Sequence, residues 1–321
     1  MGKISMFGLS GSGKTCFLYA MAQVLREGVC QGDDFKFSAI ATDISDQLAL
    51  NNGYVEMAIN GNWPEGSNKT KQYDLHVTVE CDGKLVKDIP DLTLHDYKGG
   101  IWDDNDEQKA DENRNALMKK LFGSSAILFI VDGRTLLHAM DPNDLDPSHR
   151  NVATAEKNLM ARQEISFGEN MFRCFKEYSK TVTDKNKKES SQPNPPVLVV
   201  VTKSDVFADA SELEKGKELV KRYLPSIFAK GSRIEAGITS VSLGTGLSGK
   251  EGEQIVGRLS LNTQYNIHLP MVFGLSAILS ESYDGSPEDQ KNDIELVMNP
   301  IRQMMKGKVD MFKDGYPLII M

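Results

Sequence analysis

Near its start the chain reads Gly8-Leu9-Ser10-Gly11-Ser12-Gly13-Lys14-Thr15. This is the pattern G-x-x-x-x-G-K-[ST] of a P-loop, in which backbone N–H groups surround a phosphate. Its glycines allow that close approach because they carry no Cβ atom. In such a loop Lys14 reaches the β- and γ-phosphates, and the Thr15 hydroxyl coordinates Mg²⁺. The stretch therefore predicts a site for a nucleoside triphosphate.

The residues on either side of this loop fit that interpretation. Ile4, Met6 and Phe7 indicate an incoming strand, and the apolar positions of residues 16–25 indicate an outgoing amphipathic helix. A bound phosphate would then lie at the positive end of the helix dipole. The alternative is a chance glycine turn between a strand and a helix. The predicted phosphate-binding residues are Gly8, Ser10, Gly11, Ser12, Gly13, Lys14, Thr15 and Cys16.

Composition narrows the function classes. The chain has 321 residues, of which 40% are hydrophobic, and a formal net charge of −8. An acidic chain with a pI near 5.3 is a poor match for nucleic acid or an anionic membrane surface. No stretch approaches the roughly 20 apolar residues of a membrane span, and the four cysteines show no C-x-x-C spacing. We expect a cytoplasmic protein with no integral membrane segment and no nucleic-acid partner.

Strand and helix patterns alternate along the chain, which favours an α/β fold with a mostly parallel sheet. Residues 126–131 and 197–201 are wholly apolar, as central parallel strands are. Residues 73–80 alternate, and a turn at Asp82-Gly83 leads to a strand ending near Asp96. That pattern predicts an antiparallel hairpin at one edge of the sheet. We expect the three-layer α/β/α sandwich of a P-loop NTPase.

The remaining periodic segments predict helices between the strands. These helices span residues 43–59, 109–122, 153–178, 211–224 and the residues from 271 onward. Residues 233–243 contain the last predicted strand, and the apolar residues 317–321 are expected to pack on the core. We expect one P-loop domain over residues 1–321, with insertions near 133–195 and 244–266.

A second motif follows the strand at residues 92–95, where the chain reads Asp96-Tyr97-Lys98-Gly99. A carboxylate at a strand end can hold Mg²⁺ through water, so Asp96 is a candidate metal ligand. The Gly99 N–H can meet the γ-phosphate, which is how a switch loop detects that phosphate. The alternative is an ordinary strand-ending turn, because D-x-x-G is common by chance.

A third motif, Thr202-Lys203-Ser204-Asp205, directly follows the apolar strand at residues 197–201. It resembles the guanine-binding pattern N-K-x-D, with threonine in place of asparagine. In that pattern Asp205 accepts two hydrogen bonds from guanine N1 and N2, and the Lys203 stem lies along the base. Adenine offers no such donors, so ATP would leave a buried carboxylate unpaired. Thr202 can still bond the P-loop with fewer groups. The alternative is a solvated Lys–Asp turn.

The order of these three motifs resembles the Ras-like, translation-factor-related GTPase class over residues 3–132 and 196–280. The resemblance implies GTP and GDP as ligands, Mg²⁺ as cofactor, a protein effector and a GTPase-activating protein as partners, and a homodimer as a possible assembly. Residues 240–243 resemble the loop whose backbone touches guanine O6, which adds Ser242 and Leu243 to the predicted base site. Trp63-Pro64 and Leu269-Pro270 resemble bacterial "double-GTPase" proteins.

In this class a switch threonine completes Mg²⁺ coordination, and it must lie before the strand that begins near Tyr73. Thr70 is the favoured candidate and Thr42 its rival, although Thr42 looks like the cap of a helix. The resemblance thus assigns the metal to Thr15, Thr70 and Asp96. It assigns the catalytic roles to Lys14, Thr70 and Gly99.

Hydrolysis is predicted to be slow. Ras-like proteins place a water-orienting glutamine after the D-x-x-G glycine, but this chain has Gly100 there, so turnover would need a partner's arginine finger or another group. His95 is expected on the far face of its strand, and the acidic residues 103–107 are expected to complement the next helix. A second G-x-x-x-x-G-K at 244–250 precedes Glu251, which would repel phosphate, and is expected to be a flexible surface loop.

Three functions compete at this point. The first is a GTP-dependent molecular switch, and the second is a small-molecule or nucleotide kinase. A kinase would need an arginine-bearing lid, for which the candidates are Arg134, Arg150, Arg162 and Arg173. The third is a nucleotide-dependent scaffold that binds GTP without turning it over, which Gly100 allows.

Overall fold

Strands and helices alternate along the chain as the hydrophobic pattern predicts. The computed structural model describes residues 2–9, 11–64, 69–87, 89–97, 107–150, 155–185, 194–248, 256–259, 265–283 and 286–320. The strands are β1 (Gly2–Gly8), β2 (Val29–Gln31), β3 (Phe35–Ala41), β4 (Lys71–Cys81), β5 (Lys84–Leu85), β6 (Leu92–Asp96), β7 (Ala126–Asp132), β8 (Val197–Thr202), β9 (Glu235–Ser240), β10 (Gly244–Ser248), β11 (Val256–Leu259), β12 (Asp310–Lys313) and β13 (Tyr316–Leu318). The helices are α1 (Lys14–Glu27), α2 (Ile44–Ala58), α3 (Glu107–Phe122), α4 (Gly133–Ala139), α5 (Ala155–Lys185), α6 (Ala210–Tyr223), α7 (Pro225–Phe228), α8 (Leu269–Tyr283) and α9 (Glu288–Met305).

One large sheet organises the molecule, in the order β13-β12-β9-β8-β7-β1-β6-β4-β3-β2. Its five central strands, β6-β1-β7-β8-β9, are parallel. The P-loop follows β1 in the middle of this parallel set, so the ends of β6, β7 and β8 meet around it. The predicted α/β class of a P-loop NTPase is confirmed.

The central strands supply two cores, one on each face of the sheet. Alternate residues of the apolar strand β7 point in opposite directions: Leu128 and Ile130 join one core, whereas Phe129 and Val131 join the other. Helices α1, α8 and α9 cover the first face, and helices α3, α5 and α6 cover the second. A strand buried on both faces needs an apolar residue at every position, which explains the continuous apolar runs in the sequence.

Antiparallel pairing is more extensive than the single hairpin that the sequence predicts. On one side β6 pairs antiparallel with β4, β4 with β3, and β3 with β2, while the short β5 also pairs with β4. On the other side β12 pairs antiparallel with β9 and β13 with β12. The strand ending at Asp96 is therefore an inner strand, whereas the edge itself is formed by β2.

The region after β7 is more regular than predicted. Helix α4 begins directly at the end of β7, and α5 extends to Lys185, beyond the predicted end at residue 178. The sequence permits this longer helix, because no proline interrupts the chain between Ala155 and Pro193.

The predictions for the last part of the chain were wrong in three respects. The strand within residues 233–243 is β9, and four more strands follow it. Residues 244–248, expected in a flexible loop, form β10, which pairs with β11. Of residues 317–321, which were expected to pack on the core, Leu318 is 42% exposed and Ile319 is 83% exposed, whereas half-buried Ile320 does pack against the core. An Asp314–Gly315 turn instead folds this segment back as the edge strand β13.

Candidate nucleotide-binding site

The loop between β1 and α1 is folded around its own lysine. Gly11 and Gly13 have positive φ angles of 76° and 81°, a backbone conformation that favours glycine. The Lys14 ammonium donates to the carbonyl oxygens of Gly8 and Leu9, each at 2.8 Å. The predicted phosphate-binding residues therefore run from the end of β1 through the loop into the first turn of α1, except that Ser10 lies outside the described residues.

Lys14 and Asp96 form the charged centre of the site, where β1 and β6 end side by side with Met6 opposite Asp96. Lys14 is 6% exposed and Asp96 is 1% exposed. Burial lowers the pKa of Lys14 to about 8, an effect that nearby Asp96 opposes. Burial raises the pKa of Asp96 to about 6, an effect that Lys14 and Lys71 oppose. Burial thus disfavours the charged form of both groups, and the opposite charge of each neighbour offsets part of that effect.

The Asp96 carboxylate also has an unsatisfied oxygen. Its Oδ1 atom is buried and has no hydrogen-bond partner among the residues that the structure describes. Buried polar atoms are normally paired, so a lone carboxylate oxygen indicates a missing partner. A hydrated divalent cation would satisfy it, because Mg²⁺ prefers oxygen ligands and retains several waters. Thr15, in the first turn of α1, offers the second oxygen, so the residues present fit Mg²⁺.

The loop after β8 is attached directly to the P-loop. The buried Thr202 hydroxyl lies 2.7 Å from the Ser12 carbonyl oxygen and 3.2 Å from that of Val131. Lys203 Nζ donates to the Gly11 carbonyl oxygen at 3.1 Å. The predicted bond between Thr202 and the P-loop is confirmed. These two side chains reach across 190 and 192 residues of sequence to a second loop.

Asp205 lies next to the residues predicted to complete the base site. It sits in a 3₁₀ turn formed by Ser204–Val206. The Ser242 hydroxyl oxygen lies 2.9 Å from Asp205 Oδ1 and 2.6 Å from the Gly244 carbonyl oxygen, so its one hydrogen serves either acceptor. Ser204 N–H donates to the Val241 carbonyl oxygen at 3.1 Å. Half-buried Leu243 follows Ser242 and packs against the core. Three separate loops, after β1, β8 and β9, therefore meet at one edge of the sheet.

All three loops lie within the part of the chain that matches a protein-family model. The family model described as Double-GTPase 2 matches residues 3–244. This chain belongs to the Double-GTPase 2 family. Membership supports guanine-nucleotide binding by this chain. The matched region contains the P-loop, Asp96, Thr202, Asp205 and Ser242.

Solved structures similar to this Double-GTPase 2 chain are distant from it. One is the S. cerevisiae Ski7 GTPase-like domain bound to GTP. It has 15% sequence identity and a TM-score of 0.34, and the match covers 74% of this chain and 42% of that one. The same domain bound to GDP and inorganic phosphate has 16% identity and a TM-score of 0.33, over 74% and 43%. A mutation variant of SsGBP has 13% identity and a TM-score of 0.32, over 75% and 48%. The chain thus spans less than half of each of these structures. A search of the curated proteins finds no match.

The two candidate switch threonines of this Double-GTPase 2 chain lie at different levels of the sheet. Thr70 directly precedes β4, whose first residue Lys71 lies opposite Asp96. Thr42 bonds the Asp74 carbonyl oxygen through its N–H at 2.8 Å and its hydroxyl at 3.2 Å. Asp74 lies three residues along β4 from Lys71, so Thr42 is further from Asp96 than Thr70 is. Thr42 is also not a helix cap, because Asp43 caps α2. The register favours Thr70, whose metal role remains a prediction.

Two of the four arginines proposed for a kinase lid are bonded to carbonyl oxygens. Arg134 donates to the Leu247 carbonyl oxygen at 2.8 Å, and Arg162 donates to that of Ala139 at 3.1 Å. Both side chains therefore hold elements of the fold together. Arg150 and Arg173 lie on the surface.

The structure describes only some of the other residues discussed in the sequence analysis. His95 stacks on Tyr97 with 6.2 Å between ring centroids, and its pKa is lowered by burial and by Lys120 of α3. This surrounding agrees with a side chain on the far face from Lys14. Gly99, Gly100 and residues 103–106 lie outside the described residues, as do Lys250 and Glu251. Half-buried Cys16 packs against the core.

Sequence reasoning missed Asp132, whose carboxylate contacts Lys203 Nζ at 2.5 Å. Asp132 ends the apolar strand β7 and belongs to none of the three motifs. Its position at the end of a central strand could have marked Asp132 as a candidate site residue, as the same position did for Asp96. Among the described residues, no helix has the length and apolar character needed to cross a membrane.

Proposed function

We propose that this chain is a Mg²⁺-dependent GTP-binding switch that hydrolyses GTP slowly to GDP and phosphate. The observation that carries the proposal is the joining of three loops at one edge of the sheet. Thr202 and Lys203 bond the P-loop, while Ser242 bonds Asp205. A phosphate-binding loop and a base-binding loop are thereby held at a fixed separation, which is what a nucleotide requires.

Guanine selectivity rests on Asp205. Its Oδ1 atom lies 2.9 Å from the Ser242 hydroxyl oxygen, which places the carboxylate beside the loop after β9. Guanine would donate from N1 and N2 to such a carboxylate, whereas adenine presents an acceptor at the corresponding position. Rejection of ATP follows because a carboxylate without donors loses its hydrogen bonds on binding.

The phosphate and metal roles rest on Lys14, Thr15 and Asp96. Lys14 would exchange its bonds to the Gly8 and Leu9 carbonyl oxygens for the phosphate oxygens of the nucleotide. Thr15 would hold Mg²⁺ directly and Asp96 through water, with Thr70 joining in the triphosphate state. When bound, the ion neutralises phosphate charge.

Slow turnover follows from Gly100. Glycine has no side chain to orient a nucleophilic water, so Gly99 could report the γ-phosphate through its N–H without accelerating its loss. A GTPase-activating protein could supply an arginine. The same residue favours the second candidate function, a scaffold that binds GTP and does not hydrolyse it. The kinase alternative is weakened by the structural bonds of Arg134 and Arg162.

The remaining elements of the proposal concern the setting. The chain would form one P-loop domain, act in the cytoplasm and bind a protein effector in a nucleotide-dependent way. A homodimer across the nucleotide is a further element of the proposal. Different protease sensitivity of residues 61–71 and 97–105 with GTP analogue and with GDP would support the switch; identical sensitivity would contradict it.

The first test is calorimetric titration with GDP, a GTP analogue, ADP and an ATP analogue in the presence of Mg²⁺. Wild type should bind only the guanine nucleotides, and Asp205→Ala should abolish that binding. Asp144→Ala, which changes an exposed loop carboxylate, serves as the matched control and should bind like wild type. Equal or preferential binding of adenine nucleotides would refute guanine selectivity. Phosphate release from GTP, compared with Lys14→Ala, then separates the switch from the scaffold.

A further inference from the structure

The turn from β7 into α4 contacts the loop after β8, which we call the base loop, and strand β10. It consists of Asp132, Gly133 and Arg134, and we call it the β7–α4 corner. Asp132 pairs with Lys203 of the base loop, while Arg134 donates to the Leu247 carbonyl oxygen in β10. Lys203 in turn donates to the P-loop at the Gly11 carbonyl oxygen. The corner thus joins elements that are distant in sequence.

The middle residue of the corner lies in direct backbone contact with the base loop. A Cβ atom on Gly133 would lie 2.5 Å from the Thr202 carbonyl oxygen and 2.9 Å from that of Lys203. Backbone atoms cannot move aside as a flexible side chain can. The close approach therefore fixes the distance between the Asp132 carboxylate and the base loop.

The two carboxylate oxygens of Asp132 accept hydrogen bonds from different partners. Oδ1 accepts the Arg134 N–H at 2.8 Å and so caps α4, whereas Oδ2 accepts Lys203 Nζ at 2.5 Å. The two side chains are 14% and 33% exposed, so water screens their attraction only in part. Lys203 has a positive φ of 53°, which is an unfavourable conformation for a lysine. The ion pair therefore holds Lys203 in a backbone and side-chain arrangement that it would not keep unaided.

We propose that Asp132 is a positioning residue for the nucleotide site. It acts through Lys203, whose ammonium it holds on the P-loop carbonyl oxygen and whose stem it thereby aligns for the base. This inference rests on the proposed function. It adds a second strand-ending carboxylate to the site, beside Asp96, and assigns to it the task of holding the base loop against the P-loop before nucleotide binds.

Asparagine at this position separates the two tasks of Asp132. Asp132→Asn keeps an oxygen that can cap α4 but removes the negative charge beside Lys203. We expect GDP to dissociate about tenfold faster from this variant, measured with a fluorescent GDP analogue. Asp209→Asn is the matched control, because Asp209 caps α6 in the same way, through the Glu212 N–H at 2.8 Å. It should release GDP at the wild-type rate.

A second pair of variants tests whether Asp132 acts through Lys203. Lys203→Met keeps the apolar stem and removes the ammonium, and Asp132→Asn should have no further effect in that background. Hydrogen exchange of the nucleotide-free protein adds a readout without ligand: P-loop amides should exchange faster in Asp132→Asn and not in Asp209→Asn. A wild-type GDP dissociation rate in Asp132→Asn, or an equal acceleration in the Lys203→Met background, would overturn the inference alone. Wild type without affinity for GDP would overturn the proposed function and this inference together.

Discussion

Replacing Asp96 by asparagine should stabilise the nucleotide-free protein, although Asp96 is central to the proposed function. Burial raises the pKa of this carboxyl from its ordinary value of 3.8 to about 6. One pKa unit corresponds to about 1.4 kcal/mol, so the ionised form costs the fold about 3 kcal/mol at neutral pH. Asparagine resembles the protonated carboxyl in shape and removes this cost.

The sign of the effect depends on pH. Below pH 3.8 the carboxyl is protonated in both folded and unfolded chains, so Asp96→Asn should leave stability nearly unchanged. As pH rises from 3.8 to about 6, only the unfolded chain ionises freely, and the variant should gain on wild type. Above about pH 6 the advantage should level off at roughly 3 kcal/mol.

The assay is urea unfolding of nucleotide-free protein in a metal chelator, from pH 4 to pH 8. Asp144→Asn, an exposed carboxylate, is the control and should show no such gain. Addition of Mg²⁺ and GDP should reverse the order, because wild type would gain binding energy that the variant has lost. A difference that does not change with pH, or a less stable Asp96→Asn at pH 7.5, would refute the interpretation of Asp96 as a strained metal ligand.

Three further predictions concern the loops. Burial lowers the pKa of Lys14 to about 8, so its ammonium should deprotonate between pH 7 and pH 9. GDP affinity, measured by fluorescence titration, should fall over the same range. An affinity that does not change with pH would contradict the role of Lys14. Thr202→Val removes the hydroxyl bonded to the Ser12 carbonyl oxygen and should cost about 1–3 kcal/mol in chemical unfolding, with weaker GDP binding. Gly133→Ala should lower the free energy of unfolding by about 1–3 kcal/mol or more, because its Cβ would lie 2.5 Å from a backbone oxygen. Gly123→Ala is the control and should be tolerated, because the nearest atom to its Cβ would be 3.5 Å away. Equal melting temperatures of the two variants would refute this prediction.

The sequence predicted the parts of the site that short motifs encode. A P-loop, a strand-ending carboxylate and a T-K-S-D segment each need particular residues at fixed spacing, so they can be recognised without a fold. Their meeting at one sheet edge also followed, because parallel strands end on the same side. Even the bond from Thr202 to the P-loop was predictable from the hydroxyl that replaces the usual amide.

The sequence did not reveal interactions that depend on tertiary contacts. The contact of Asp132 with Lys203 joins residues 71 positions apart, which no local spacing encodes. The three-residue strand β2 is too short to show alternation. The final hairpin was missed for a different reason: the apolar residues 317–321 suggested burial, while the Asp314–Gly315 turn signal went unused.

The contribution of α8 to the first core has a practical consequence for anyone who expresses this protein in pieces. The recognisable family region stops at residue 244, yet α8 places Leu269, Val272 and Leu275 in the core beneath the central strands. Strands β12 and β13 also cover the side of β9, the strand that leads into Ser242. A fragment trimmed to residues 3–244 would leave an apolar sheet face and an open strand edge in water, and should aggregate. We therefore expect that a stable fragment needs the residues after 244 as well as the region that matches the family.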